Sequence, residues 1–158
     1  MDHSPSTVQP LTDTEQRAWF GLLAVLALGM PQVERTVREH GLVYIEYLLL
    51  AELATAPAGL PLGELAGCVQ ASQSRLSHRL RKVVKLGYVE LHPSSSDGRV
   101  SIAQITARGR NVVDEITPAT LRDIRQLVFD HLEPSQVDAL ADALTTVSQH
   151  LKNSGSTP

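Results

Sequence analysis

The stretch SQSRLSHRLRKVVKLGYVELHPSSSDGRVSIAQIT, residues 72–106, decides the fold. At about 100° per residue, Leu76, Leu80, Val83 and Val84 fall on one side of a helix. Ser74, Arg75, His78, Arg81, Lys82 and Lys85 fall opposite them, and no acidic residue occurs from 71 to 86. Ser72 stands at the N-cap position and Gly87 closes the helix. Two strands are then expected, at about 88–92 and 100–105. They are joined by a loop whose Asp97-Gly98 pair is a strong turn signal, because glycine accepts the positive φ that such turns need. Arg99 stands beside that turn with nothing apolar to anchor it; a bland hairpin could end there as well, and the neighbouring segments decide.

Working outward, a short helix from Leu62 to about Val69 points Leu62, Leu65 and Ala66 inward, and Gln70-Ala71 links it tightly to the basic helix. That pair reads as a helix-turn-helix and the hairpin behind it as a wing. A helix that is apolar behind and all donors in front suits a DNA major groove. Arginine can bridge guanine O6 and N7, while serine and histidine reach base edges or phosphates. Ala71, Ser72 and Ser74 are small enough to let the helix N-terminus approach the DNA backbone, where its free N–H groups favour phosphate.

Charge supports this reading by its distribution. Between 71 and 110, eight basic residues stand against Glu90 and Asp97, a net of +6, whereas the rest of the chain carries a net of −9. One basic segment on an otherwise repelling body is the pattern of a local polyanion-binding face; its bland counterpart is a solvated charged helix.

The remaining segments supply a scaffold. With 158 residues, one domain with a real core is expected. Cys68 is the only cysteine, which excludes an internal disulfide and fits a cytoplasmic setting. The first residues lack the basic start and apolar run of a signal peptide. The most apolar window, residues 18–30, is 13 residues long, short of the roughly 20 a membrane-spanning helix needs. Thr12 and Glu15 form a capping-box signature for helix 1, which is apolar nearly all round and stops at Gly41, with a kink expected near Gly29 and Pro31. A second subunit is the expected cover for such a helix. Helix 2 is expected over 42–55. Helix 5 is expected from Thr106 to about His131, bent at Pro118. Helix 6 is expected from Pro134, with Val137, Leu140, Ala141, Leu144, Val147 and Leu151 in a coiled-coil-like stripe. Residues 1–10 and 153–158 read as disordered tails.

From Gly41 to Thr106 the chain resembles the MarR family of bacterial winged-helix regulators. The matching features are the Ser-Arg-Leu start of the recognition helix (Ser74–Leu76), its Gly-Tyr-Val exit (Gly87–Val89), the Asp-x-Arg wing (Asp97–Arg99) and Ile-Thr-x-x-Gly at the start of helix 5 (Ile105–Gly109). Including the flanking helices, the resemblance covers about 12–151. It implies a mainly α fold with a small β-hairpin wing: a winged helix-turn-helix lobe (41–106) between dimerisation helices at 11–40 and 107–152. It further implies a homodimer that binds pseudo-palindromic double-stranded DNA, most often as a repressor. Carried over by position, Gln73, Ser74, Ser77 and His78 are base-facing, and Arg75 is commonly basic. Arg99 enters the minor groove while Asp97 braces the wing. Gly98 departs from the pattern, since many members carry another arginine there, and so does Val84, where an acidic residue is common. The candidate DNA-contacting set is therefore Ser72, Gln73, Ser74, Arg75, Ser77, His78, Arg81 and Lys82 on helix 4, with Asp97, Gly98 and Arg99 on the wing.

The resemblance also implies a small-molecule pocket between helices 1, 2 and 5, near Trp19, Tyr44 and Tyr47, for an apolar or phenolic effector; ordinary core and dimer packing is the competing account of each residue. Some MarR-like proteins sense oxidants through a cysteine, typically near the N-terminal helix, whereas Cys68 lies in helix 3. The six histidines show no paired i, i+4 spacing, so no metal site is expected. No cofactor is expected either. A nucleophile–base–acid set, a phosphate-binding glycine loop and paired catalytic carboxylates are all absent from the sequence, which argues against a small enzyme. A protein-interaction module that kept the fold but lost DNA binding is the remaining rival, and the acid-free helix 4 argues against it.

Overall fold

The computed structural model describes residues 9–69, 73–94 and 100–154, with only the backbone described at 73–75. Helix α1 spans Asp13–Glu39. Its capping box forms as the spacing predicts: Thr12 Oγ1 accepts from Glu15 N at 3.3 Å and Glu15 Oε2 accepts from Thr12 N at 2.7 Å. The helix runs unbroken through Pro31 and ends where Gly41 takes φ +72°. Helix α2 covers Tyr44–Thr55. It starts two residues later than the sequence suggests, because Val43 is extended and acts as N-cap, its N–H held by Glu46 Oε2 at 3.0 Å.

Helices α3 (Leu62–Cys68) and α4 (Gln73–Lys85) form the helix-turn-helix pair. They are followed by the antiparallel strands β2 (Val89–Pro93) and β3 (Ser101–Ile105). The register runs from Val89↔Ile105 to Pro93↔Ser101, and Ser94 N donates to Val100 O at 2.8 Å. A further strand, β1 (Leu60–Pro61), pairs with β3, giving the order β1-β3-β2. Two residues containing a proline carry no strand signal in sequence. What makes the pairing possible is Gly59 at φ +79°, where a Cβ would lie 2.6 Å from the Ala103 carbonyl oxygen.

Helix α5 spans Ala107–Leu127 and continues through Pro118. It ends earlier than the sequence suggests. Val128 leaves helical geometry at φ −130°, and a 3₁₀ turn over Phe129–His131 follows. Helix α6 runs from Pro134 to Ser154. The described fold is thus mainly α with a small antiparallel sheet, and no described helix is long and apolar enough to cross a membrane.

The core gathers around α2. Leu49, Leu50 and Leu53 pack with Leu65 of α3, Leu80 and Val83 of α4 and Ile116 of α5. Outside this core, much of α1 and α6 is bare. Residues 13–28 of α1 are exposed without exception, and Leu140, Leu144, Val147 and Leu151 of α6 are 37–63% exposed.

The junction between the sheet and α5 gives the Ile-Thr-x-x-Gly motif its physical meaning. Thr106 N donates to Tyr88 O at 3.0 Å, while its hydroxyl donates to Gly87 O at 2.7 Å and accepts from Gly109 N at 3.0 Å. Gly109 packs so closely on Tyr88 that a Cβ there would fall inside the van der Waals surface of the Tyr88 carbonyl oxygen. Because the obstruction is backbone, Gly109→Ala should destabilise the fold by about 2–3 kcal/mol, measured as a lowered denaturant midpoint; an unchanged midpoint would refute this close-packing account.

Candidate nucleic-acid interface

Helix α4 buries Leu76, Leu80 and Val83 and half-buries Val84, as its periodicity indicates. Ser77, His78, Arg81 and Lys85 are exposed on its other side. Gln73, Ser74 and Arg75 lie in its first turn. Ser72 and the wing residues Asp97, Gly98 and Arg99 lie outside the described residues. Beside the exposed face, Leu62, Leu80, Val84 and Leu91 floor a shallow apolar groove edged by Arg81 and Lys85.

Lys82, read from the sequence as a groove-facing cation, turns its ammonium inward. Nζ donates to Glu46 Oε2 at 2.7 Å and to the Gly41 carbonyl at 2.9 Å. Arg79 joins it, with Nη1 3.4 Å from Glu46 Oε1. Other basic residues of the segment have structural contacts as well. Arg110 donates to Ala54 O at 2.9 Å, and the Arg108 guanidinium lies 5.5 Å from the centre of the Tyr88 ring. Of the side chains described, Arg81 and Lys85 are therefore the cations that keep this face positive. Sequence reasoning missed Glu46 as a partner of α4. Its one available signal was a carboxylate near the start of a largely apolar helix, which also carries Glu52.

Tyr44 and Tyr47 come together, their ring centres 6.0 Å apart and tilted by 38°. Tyr47 is buried, with its hydroxyl 3.1 Å from Thr117 Oγ1, which donates onward to Val113 O at 2.7 Å. The Tyr47 O–H is therefore the donor to Thr117. Desolvation, and then the neighbouring Tyr47, push the Tyr44 phenol up. One turn along α5, Thr120 Oγ1 is buried with no hydrogen-bond partner among the described residues. Trp19 is not part of this group within one chain. It is 52% exposed and stands about 20 Å along α1 from the buried Val33.

No family model matches the sequence, and no curated protein matches it either. Solved structures do. AbsC, a MarR family transcriptional regulator from Streptomyces coelicolor, superimposes with a TM-score of 0.87 at 29% identity, over 92% of this chain and 99% of that one. Sco3205, a MarR family transcriptional regulator from the same organism solved in complex with DNA, gives a TM-score of 0.86 at 30% identity, over 95% and 93% of the two chains. This chain belongs to the MarR family. A more distant likeness in fold, TM-score 0.75 at 18% identity over 82% and 90% of the chains, is to CouR from Rhodococcus jostii, solved with p-coumaroyl-CoA. The MarR-family proteins it matches are transcriptional regulators, a class distinct from enzymes. Among the described residues no group of three His, Cys, Asp or Glu side chains could hold a metal ion.

Cys68 is exposed on α3. Desolvation of the thiol, a hydrogen bond to Glu52 and the negative charges of Glu52 and Glu64 push its pKa up. Raising it lowers the thiolate fraction at neutral pH, and the thiolate is the reactive form. Alkylation by iodoacetamide at pH 7 should therefore be slower than for a free cysteine, rising about tenfold per pH unit through pH 8 without levelling off. A fast, pH-independent rate at neutral pH would contradict this assignment.

Proposed function

We propose that this MarR-family chain acts as a homodimer on a pseudo-palindromic operator, as a repressor, with α4 in the major groove and the wing in the flanking minor groove. The observation that carries the reading is the exposed face of α4. Ser77, His78, Arg81 and Lys85 present donors and positive charge there, with no acidic residue from 71 to 86. The DNA-bound state of Sco3205, at 30% identity over 95% of this chain, supports it. On this reading Gln73, Ser74, Ser77 and His78 face bases, Arg75 and Arg81 reach guanine or phosphate, and Arg99 sits in the minor groove, where a narrow groove concentrates negative potential.

The bare helices support a second copy. Seven large apolar residues of α1 and four of α6 are exposed in one chain, and each such side chain gains about 1.5–3 kcal/mol on full burial. A two-fold would place the recognition helices about 34 Å apart, one DNA turn. An apolar or phenolic effector near Tyr44 and Tyr47 would act by favouring a lobe spacing that no longer matches the grooves; the acyl-CoA held by CouR supports that ligand class.

The test is binding to the duplex upstream of the protein's own gene at 50 and 200 mM salt. A dimeric regulator making several phosphate contacts should lose roughly 10³-fold or more; salt-independent or absent binding would instead support a protein-interaction module. Arg99→Ala should lower affinity and reduce the salt slope by about 0.9 per protomer, about 1.8 for the dimer, with the dimer intact, and an unchanged affinity would refute the wing assignment. Leu144→Asp, at a site already exposed in one chain, should yield a folded monomer by sedimentation that no longer binds the duplex. A persistent dimer would remove α6 from the interface.

A further inference from the structure

Glu46 has no part in the proposed DNA contacts, yet it is the only fully buried charged residue among those described, at 0% exposure. A carboxylate taken out of water is costly unless it is paired and hydrogen-bonded. Three donors meet that requirement here. Oε2 accepts from Val43 N at the start of α2 and from Lys82 Nζ of α4, and Oε1 faces Arg79 Nη1 one turn earlier on α4. Lys82 also donates to the Gly41 carbonyl, in the turn between α1 and α2. The carboxylate thus ties the recognition helix to the turn joining the long α1 to the lobe. The two cations are not themselves buried: Arg79 and Lys82 keep 41% and 42% of their side-chain exposure, so either could reach outward if released.

We propose that Glu46 is a positioning residue that sets operator specificity: it seats α4 against the α1–α2 turn and holds Arg79 and Lys82 back from DNA phosphates. The inference rests on the DNA-binding reading above. Phosphate contacts raise affinity for every sequence alike, whereas discrimination comes from base edges. Two cations retained by a buried carboxylate therefore limit sequence-independent binding, and the fixed seat keeps Ser77, His78 and Arg81 in one register.

Fluorescence anisotropy across a salt series, with the upstream duplex and a random-sequence duplex of equal length, tests this on the full chain. Glu46→Gln keeps an acceptor for Val43 N and removes the charge. It should raise affinity for the random duplex several-fold, steepen the salt slope by about 0.9 for each cation released, and lower the ratio of upstream to random binding about tenfold. Lys82→Gln should leave the salt slope at the wild-type value while weakening binding to the upstream duplex, since Lys82 is engaged by Glu46 and not by phosphate. The double variant should show a slope shallower than that of Glu46→Gln alone. A merely structural role would lower binding to both duplexes in proportion to the folded fraction, read from thermal melts, and leave the slope unmoved. A folded Glu46→Gln with wild-type ratio and slope overturns the proposal. Should Glu46→Gln not fold, Lys82→Gln decides alone, and a slope shallower by about 0.9 per protomer overturns it. Wild-type protein that binds neither duplex overturns the DNA-binding reading, and this inference with it.

Discussion

The Tyr88 carbonyl is the point on which the winged lobe depends. The Tyr88 N–H closes the exit of α4 by donating to Val83 O, while its carbonyl accepts the Thr106 N–H that starts α5 and lies against Gly109 in the first turn of that helix. Gly87, at φ +74°, turns the chain out of α4 so that its own carbonyl meets the Thr106 hydroxyl. One residue of backbone thus sets the angle between the recognition helix, the sheet and α5. Because α5 continues as a single helix to Leu127 and packs along α1, that angle is carried from the lobe to the region where a second chain is expected.

The pairing at Glu46 grips the side of α4, through Arg79 and Lys82 in its C-terminal half. Hydrophobic contacts of Leu76, Leu80 and Val83 hold the helix to the core but resist rotation about its own axis only weakly, since apolar burial is non-directional. A carboxylate with a charged partner at 2.7 Å and a backbone donor at 3.0 Å has direction. The two devices are complementary: the junction at Tyr88 orients the helix and the pairing at Glu46 sets its roll.

Much of this was legible in the sequence, and the omissions have physical causes. The capping box at Thr12, the stop at Gly41, the core face of α4 and the β2–β3 pair all follow from local rules that act within a few residues. Strand β1 was not legible, because a two-residue pairing at Leu60–Pro61 depends on the approach of Gly59 to Ala103, more than forty residues away. The early end of α5 depends on the backbone of Val128, where the apolar pattern simply continues. Within the candidate site, the angular position of Lys82 on the helix wheel was correct enough to call it outward. A long side chain, however, can fold back on a partner that the wheel does not contain, here the Glu46 of another helix.

That last point changes how the basic segment should be weighed. A net of +6 over residues 71–110 suggests a strongly attractive surface, yet Arg79, Lys82, Arg108 and Arg110 each have a partner within the fold. The field that reaches solvent from the described part of α4 is chiefly that of Arg81 and Lys85, set on a body whose remaining residues carry a net of −9. Arg108 and Arg110 are held by neutral groups and keep their charge, and Arg79 and Lys82 share one carboxylate, so the segment still attracts a polyanion while repulsion from the acidic body opposes approach in other orientations. On the proposed DNA-binding reading, discrimination would rest on close, correctly oriented contact by α4 more than on the quantity of positive charge.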